Sequence, residues 1–173
     1  MTQSVELLLD PSSDAAVRAE WAALRAAALP SEQRSATSDH HRPHITLYAG
    51  DALSAGADGA LPALVAGMSL ELRLGALMLF GPHRERFVLV HQVVPSGTLL
   101  DLQQRVAEVC GADASGYFGP GRWSPHVTLA RRVPPSDLPE VLHALEPGSA
   151  VGRTVEVTAC RRWDSETRPT WLL

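Results

Sequence analysis

One short phrase occurs twice in the sequence, as Pro-His-Ile-Thr-Leu at residues 43–47 and as Pro-His-Val-Thr-Leu at residues 125–129. Its two histidines, His44 and His126, are separated by nearly half of the 173-residue chain. A pair of imidazoles can act on one substrate as general base and general acid. The repeat therefore predicts a molecule of two halves, each of which contributes one histidine and one threonine to a shared site.

The alternation of residue types within each phrase indicates a β-strand. Residues i and i+2 of a strand lie on the same face, about 6.6–7 Å apart. His44 and Thr46 then share one polar face, and His126 and Thr128 share another, while the aliphatic residues between them belong to the core. A buried imidazole or hydroxyl without a partner costs about 1–3 kcal/mol. The polar faces are therefore expected to meet water or a ligand.

A phosphodiester could use all four of these side chains. One imidazole would take a proton from the attacking water or hydroxyl, and the other would give a proton to the leaving oxygen, each for roughly 10²–10⁴-fold in rate. Thr46 and Thr128 would donate hydrogen bonds to the non-bridging oxygens as charge redistributes. This chemistry needs neither a metal nor another cofactor, and none is expected.

With their flanks, the two phrases read RPHITLYAG (42–50) and WSPHVTLAR (123–131). They resemble the paired motifs of the 2H phosphoesterase superfamily, most closely its bacterial 2′-5′ RNA ligase and RNA 2′,3′-cyclic phosphodiesterase branch. The resemblance implies an α+β, bilobed, pseudo-two-fold (LigT-like) fold over residues 1–173 as a single domain. It implies two antiparallel sheets with helices outside and a central cleft, His44 and His126 as the catalytic pair, and Thr46 and Thr128 as phosphate binders.

The reaction implied by the resemblance is attack on a 2′,3′-cyclic phosphate with the 3′-oxygen leaving, which gives a 2′-phosphomonoester. If an RNA 5′-hydroxyl replaces water, the product is a 2′-5′ linkage. The expected partners are RNA ends with such a phosphate, or small cyclic nucleotides; DNA has no 2′-oxygen to close the ring. Ends of tRNA, other RNA ends, mononucleotides and ADP-ribose cyclic phosphates all fit this chemistry, and either histidine could be the base.

Three more residues are candidates for substrate contact. In many relatives an arginine follows the second histidine by five positions and helps to hold the phosphate, and Arg131 occupies that place. Strict alternation would put Arg131 on the face of Leu129, so that a bulge or the end of the strand is needed to bring it to the site. Tyr48 and Trp123 flank the two motifs and could stack on a base, or else pack in the core.

The composition is that of an ordinary globular protein, with 45% hydrophobic and 20% charged residues and a net charge of −4. A general nucleic-acid coat protein would need many Lys and Arg contacts to phosphates, so this class is disfavoured. No signal peptide pattern is present, and no apolar run approaches the ~20 residues of a membrane span. A cytoplasmic monomer without membrane attachment is expected, with Cys110 and Cys160 as small buried residues.

Two other functions are compatible with the same residues. A non-catalytic module would hold a nucleotide or phosphate in the same pocket, and the acidic net charge and sparsely basic loops favour it. A metal-dependent hydrolase would use histidines as ligands, and His40, His41 and His44 are closely spaced. The absence of a nearby carboxylate in either motif disfavours the metal site.

Hydrophobic periodicity predicts the elements that position the motifs. The predicted order is β-α-β-(α)-β-β-α-β-α-β-β, with the motif strands at 44–48 and 126–131 side by side at the centre of a concave surface. The other strands are predicted at 5–9, 69–77, 86–93, 154–163 and 170–173, and the helices at 14–29, 61–65, 95–110 and 136–145.

Overall fold

The computed structural model describes residues 2–34, 41–165 and 170–173. Within these ranges the strands are β1 (Gln3–Leu9), β2 (His44–Gly50), β3 (Leu70–His83), β4 (Arg86–Val93), β5 (His126–Val133), β6 (Thr154–Asp164) and β7 (Thr170–Leu172). The α-helices are α1 (Pro11–Ala26), α2 (Ala57–Val65), α3 (Gly97–Cys110) and α4 (Leu138–Leu145), and short 3-10 turns precede and follow α4. The predicted element order is confirmed.

The first helix begins three residues earlier than its hydrophobic pattern predicts. Asp10 is the N-cap, and its carboxylate accepts hydrogen bonds from the backbone N–H groups of Ser12 and Ser13. Side-chain acceptors of this kind satisfy the free N–H groups of a first turn, and a proline at the first helical position costs no backbone bond. Asp10 and Pro11 therefore start the helix.

The hairpin of β3 and β4 is longer than predicted. Its turn lies at Arg84 and Glu85, which both have positive φ (48° and 58°), as the two central residues of a type I′ hairpin turn require. Gly81 and Pro82, which lie between the predicted strands 69–77 and 86–93, are inside β3. The extension places Phe80, in register with Val88, close to the second motif.

All strand pairs are antiparallel, in the order β1-β2-β5-β4-β3-β6-β7, and β1 also pairs with β6. Six strands therefore close into a ring, with β7 on the outer edge of β6. The α+β class is confirmed, and the two predicted sheets are joined into one. One half (β6, β1, β2) meets the other (β3, β4, β5) where β3 pairs with β6 and where Ile45 pairs with Val127.

The helices cover the apolar faces of the motif strands. Helices α2 and α3 pack together and α3 contacts β2, while α1 and α4 pack together and α1 contacts β5. The aliphatic residues of both motifs, Ile45, Leu47, Val127 and Leu129, are completely buried. The opposite faces, which carry the histidines and threonines, are therefore turned away from the helices. No helix in the described part of the chain is long and apolar enough to cross a membrane.

Candidate active site

The two motif strands meet at their histidine ends. The registered pair between β2 and β5 is Ile45 with Val127. In an antiparallel pair, this register sets His44 across from Thr128 and His126 across from Thr46, all on one face. All four side chains are half-buried. The prediction that the motif strands lie side by side is confirmed, and each histidine faces the threonine of the other half.

Both imidazole rings are held in the same orientation. Nδ1 of His44 lies 2.7 Å from the carbonyl oxygen of Arg42, and Nδ1 of His126 lies 2.7 Å from that of Ser124. A carbonyl only accepts, so Nδ1 carries the hydrogen in each neutral ring and Nε2 is left for proton transfer. The proline of each phrase keeps the residue before it extended, and that residue supplies the carbonyl.

The two threonine backbones are supported by tryptophans from elsewhere in the chain. The indole N–H of Trp123 donates to the carbonyl of Thr46, and that of Trp21 donates to the carbonyl of Thr128, both at 3.0 Å. Trp123 is half-buried against the core. Its indole N–H binds β2, whereas the sequence suggested that its ring could stack on a base. Trp21 is a buried residue of α1, and nothing in its helical spacing indicates this bond.

Replacing Trp21 or Trp123 by phenylalanine is expected to lower the free energy of unfolding by about 1–3 kcal/mol, because a part-buried carbonyl loses its donor. Urea denaturation followed by circular dichroism measures the loss. Trp163→Phe is the control, since the half-buried Trp163 makes no indole hydrogen bond to any described residue. Equal losses in all three variants would mean that the two hydrogen bonds contribute nothing.

A bulge follows the threonine in β2. Leu47 is one residue extra relative to β1, and Leu47 and Tyr48 both point into the core, with 0% and 7% exposure. The hydroxyl of Tyr48 donates to the carbonyl of Ala52 at 3.1 Å, and its ring lies against Phe118. A bulge shifts the alternation by one residue. Tyr48 is therefore a core residue, and the hypothesis that it stacks on a base is corrected.

The same bulge follows the threonine in β5. Leu129 is extra relative to β4, and it and the next residue are both buried. Because of this shift, Arg131 lies on the same face as His126 and Thr128. Strict alternation would have put Arg131 on the opposite face, and a bulge is one of the two features predicted to bring it to the site. Arg131 is exposed, and its Nε forms an ion pair with the buried carboxylate of Glu32 at 2.9 Å. Its guanidinium thus lies at the rim of the histidine face.

The surroundings of His126 favour its neutral form. Burial lowers the pKa of His126, and the charges of Arg131 and His44 lower it further, against the hydrogen bond to the Ser124 carbonyl, which raises it. The ring of Phe80 meets the imidazole edge-on, with 4.8 Å between centroids. Phe80 lies beyond the predicted end of its strand, so the sequence did not indicate this contact. A neutral imidazole at pH 7 can accept a proton.

A buried carboxylate lies beside His44. Oε1 of Glu6 is 3.7 Å from Nε2 of His44, and Glu6 is only 5% exposed. Burial raises the pKa of Glu6, but His44, Arg161 and the hydrogen bonds from Ser4 and Arg161 outweigh it, and the net pKa is lowered. Glu6 is therefore ionised at neutral pH. An acidic residue inside the apolar run of β1 was the one sequence signal for it.

Three arginines near the two motifs form ion pairs with buried carboxylates, and we call them the arginine rim: Arg18, Arg42 and Arg131. Arg18 and Arg42 bind the buried carboxylate of Asp14, and Arg131 binds that of Glu32. Each pairs through Nε, and the terminal nitrogens make no hydrogen bond with described residues.

The histidines before the first motif are not part of a metal site in the described residues. His41 stacks on Trp21, with 5.2 Å between centroids, and its Nε2 lies 2.7 Å from the carbonyl of Glu32. Residue 40 lies outside the described residues. Within the part of the chain that the structure describes, no three His, Cys, Asp or Glu side chains are grouped so as to hold a metal ion.

The family model described as the 2′-5′ RNA ligase superfamily matches residues 11–166. No curated protein matches the sequence. Among solved structures, TT0787 of Thermus thermophilus is 18% identical with a TM-score of 0.62, covering 100% of this chain and 95% of that one. Usb1 of Kluyveromyces marxianus is 11% identical with a TM-score of 0.61, covering 99% and 98%.

LigT of E. coli, in apo form, is 18% identical with a TM-score of 0.54, covering 99% of this chain and 94% of LigT. Identities this low show a shared fold. The predicted LigT-like architecture is therefore confirmed over nearly the whole chain.

Proposed function

The chain belongs to the 2′-5′ RNA ligase superfamily of two-histidine phosphoesterases, and we propose that it hydrolyses 2′,3′-cyclic phosphates to 2′-phosphomonoesters without a metal ion. Membership of this superfamily supports a phosphoesterase or ligase-type activity. The observation that carries the finer proposal is the matched pair of imidazoles. Each has Nδ1 bound to a backbone carbonyl and Nε2 available on the face that holds both threonines.

The proposed reaction is an in-line displacement at phosphorus. Nε2 of one histidine takes a proton from water while the water oxygen bonds to phosphorus. Nε2 of the other histidine gives a proton to the 3′-oxygen as the P–O3′ bond breaks. The hydroxyls of Thr46 and Thr128, one beside each imidazole, donate to the non-bridging oxygens. An RNA 5′-hydroxyl in place of water would give a 2′-5′ linkage by the same steps.

The charges around the site suit an anionic nucleotide. The arginine rim presents guanidinium groups whose terminal nitrogens have no hydrogen-bond partner among the described residues, and guanidinium is a good ligand for phosphate. We infer that Arg131 contacts the substrate phosphate, since the bulge in β5 returns it to the histidine face. The fold neighbours are compatible with this class: Usb1 was solved with uridine monophosphate, and LigT with 3′-AMP and with NADP+.

The proposal predicts turnover of a 2′,3′-cyclic nucleotide in the presence of EDTA. A panel of the four cyclic mononucleotides and an oligoribonucleotide ending in a cyclic phosphate would be incubated with the protein, and the products separated as 2′- and 3′-phosphates. The 2′-phosphate is expected, at a rate that EDTA does not change. Binding of these compounds without turnover would replace the proposal by a binding module, and activity that EDTA abolishes and zinc or manganese restores would replace it by a metal-dependent hydrolase.

A further inference from the structure

The two halves of the site differ in the residues that lie opposite the threonine of each motif. Opposite Thr46 on β1 is Glu6, and opposite Glu6 on β6 is Arg161. Directly opposite residues share a face, so both lie on the face of His44. Oε2 of Glu6 accepts from Nε of Arg161 at 2.8 Å, and Oε1, the oxygen near His44, accepts from the Ser4 hydroxyl at 2.7 Å.

The second motif has apolar residues at the same places. Opposite Thr128 on β4 is Val90, and opposite Val90 on β3 is Met78. Both flanking strands run antiparallel to their motif strand, so these positions correspond to those of Glu6 and Arg161. One half therefore holds a carboxylate–guanidinium pair where the other holds valine and methionine. This difference cannot be seen in the motif sequences, because the residues that differ lie on other strands.

The charged groups that face each histidine differ accordingly. His44 faces the carboxylate of Glu6 on β1, with Arg161 of β6 on the far side of that carboxylate, and the imidazoles of His41 and His126. A negative charge at 3.7 Å from Nε2 stabilises the imidazolium form of His44.

His126 faces the guanidinium of Arg131 on its own strand, the imidazole of His44 on β2 and the edge of Phe80 on β3. No ion pair joins His126 to a carboxylate of the described residues. A cation and an aromatic neighbour with burial favour a neutral ring.

We propose that Glu6, fixed by Ser4 and Arg161, is a positioning residue that keeps His44 as the imidazolium, so that His44 is the general acid and His126 the general base of hydrolysis. This assignment rests on the proposed function. Nε2 of His126 takes the proton of the attacking water as the new P–O bond forms. Nε2 of His44 gives its proton to the 3′-oxygen as the P–O3′ bond breaks, and exchange with solvent then returns both rings to their starting forms.

The first test uses the unaltered protein. Nitrogen-15 NMR of the imidazoles, followed through a pH titration, is expected to show a pH range in which both ring nitrogens of His44 are protonated and only Nδ1 of His126 is protonated. The opposite pattern, or two rings in the same state at every pH, would overturn the assignment. The measurement needs no turnover, so absence of activity on every cyclic phosphate would refute the proposed function while the NMR result still decides the role of Glu6.

The second test is the pH profile of kcat/KM for Glu6→Gln, which keeps the shape of the side chain and removes its charge. Activity requires protonated His44, so the alkaline limb is expected to move to lower pH when the carboxylate charge is removed, with little change in KM. An unmoved limb with a uniformly lower rate would show a merely structural role. If this variant does not fold, the NMR measurement decides.

Glu20→Gln is the matched control. Glu20 is as deeply buried as Glu6 and contacts a histidine, His91, away from the site face. Its replacement is expected to lower the melting temperature and to leave both limbs of the pH profile in place. An equal shift of the alkaline limb in Glu20→Gln would overturn the proposal, because the effect would then not depend on the contact with His44.

Discussion

Replacing either His44 or His126 by alanine is expected to lower kcat for a 2′,3′-cyclic nucleotide by about 10²–10⁴-fold, the usual worth of a positioned acid or base. Replacing both should lower it little further, because the two groups act in one step and their effects are not additive. Steady-state rates in EDTA measure both effects. His143→Ala is the control, since His143 lies exposed on α4. Near-normal turnover in either single variant would contradict the proposed function.

The two alanine variants should differ on a substrate whose leaving group needs no proton. In a 2′,3′-cyclic nucleotide with sulfur in place of the bridging 3′-oxygen, the leaving group is a thiolate, which is stable near neutral pH because a thiol has a pKa of about 8.5. His44→Ala is expected to recover most of its activity on this substrate, whereas His126→Ala, without its base, is not. Recovery in His126→Ala alone would reverse the assignment of acid and base.

The sequence was sufficient to predict which four side chains share a face. A strand has a period of two residues, so the identity of a face follows from local spacing, and a phrase repeated in each half implies that the two strands are related. The structure confirms that β2 and β5 lie side by side at Ile45 and Val127. This prediction required no knowledge of register with any other strand.

The bulges mark the limit of that reasoning. Alternation alone places Tyr48 with His44 and Arg131 with Leu129, and both placements are wrong by one residue because Leu47 and Leu129 are extra residues in their strands. A bulge depends on pairing with the partner strand, and no residue type in either motif predicts it. The two bulges have opposite consequences: one removes Tyr48 from the site face and the other brings Arg131 to it.

The neighbours of the histidines could not be predicted because they come from distant parts of the chain. Glu6 and Phe80 reach the two imidazoles through strands whose order and register are properties of the closed sheet. The two motifs look equivalent in sequence, and only these neighbours distinguish them. The chemical difference between the two motifs therefore comes from residues on neighbouring strands, and these residues are not part of the repeated sequence.

The largest expected effect on stability comes from a buried pair behind the second motif. Nε2 of His91 on β4 lies 2.9 Å from both carboxylate oxygens of Glu20 on α1, and the two residues are 0% and 2% exposed. Oε1 of Glu20 also accepts from the backbone N–H of Ala150 at 2.9 Å. Glu20→Ala is expected to lower the free energy of unfolding by about 3–5 kcal/mol, because it leaves the buried partners of the carboxylate unpaired. Urea denaturation measures the loss.

The double variant separates the cost of an unpaired group from the value of the pair. Replacing Glu20 and His91 together by leucine removes both polar groups, and apolar replacements of a buried pair are often close to neutral. The double variant is therefore expected to be more stable than either single leucine variant, Glu20→Leu or His91→Leu, with a coupling free energy of about 0.5–3 kcal/mol between the two sites. Additive losses would show that the two side chains contribute independently. Since His91 is in register with Val127, next to His126, a folded double variant that keeps its turnover would also show that the strand, rather than the buried pair, positions the second histidine.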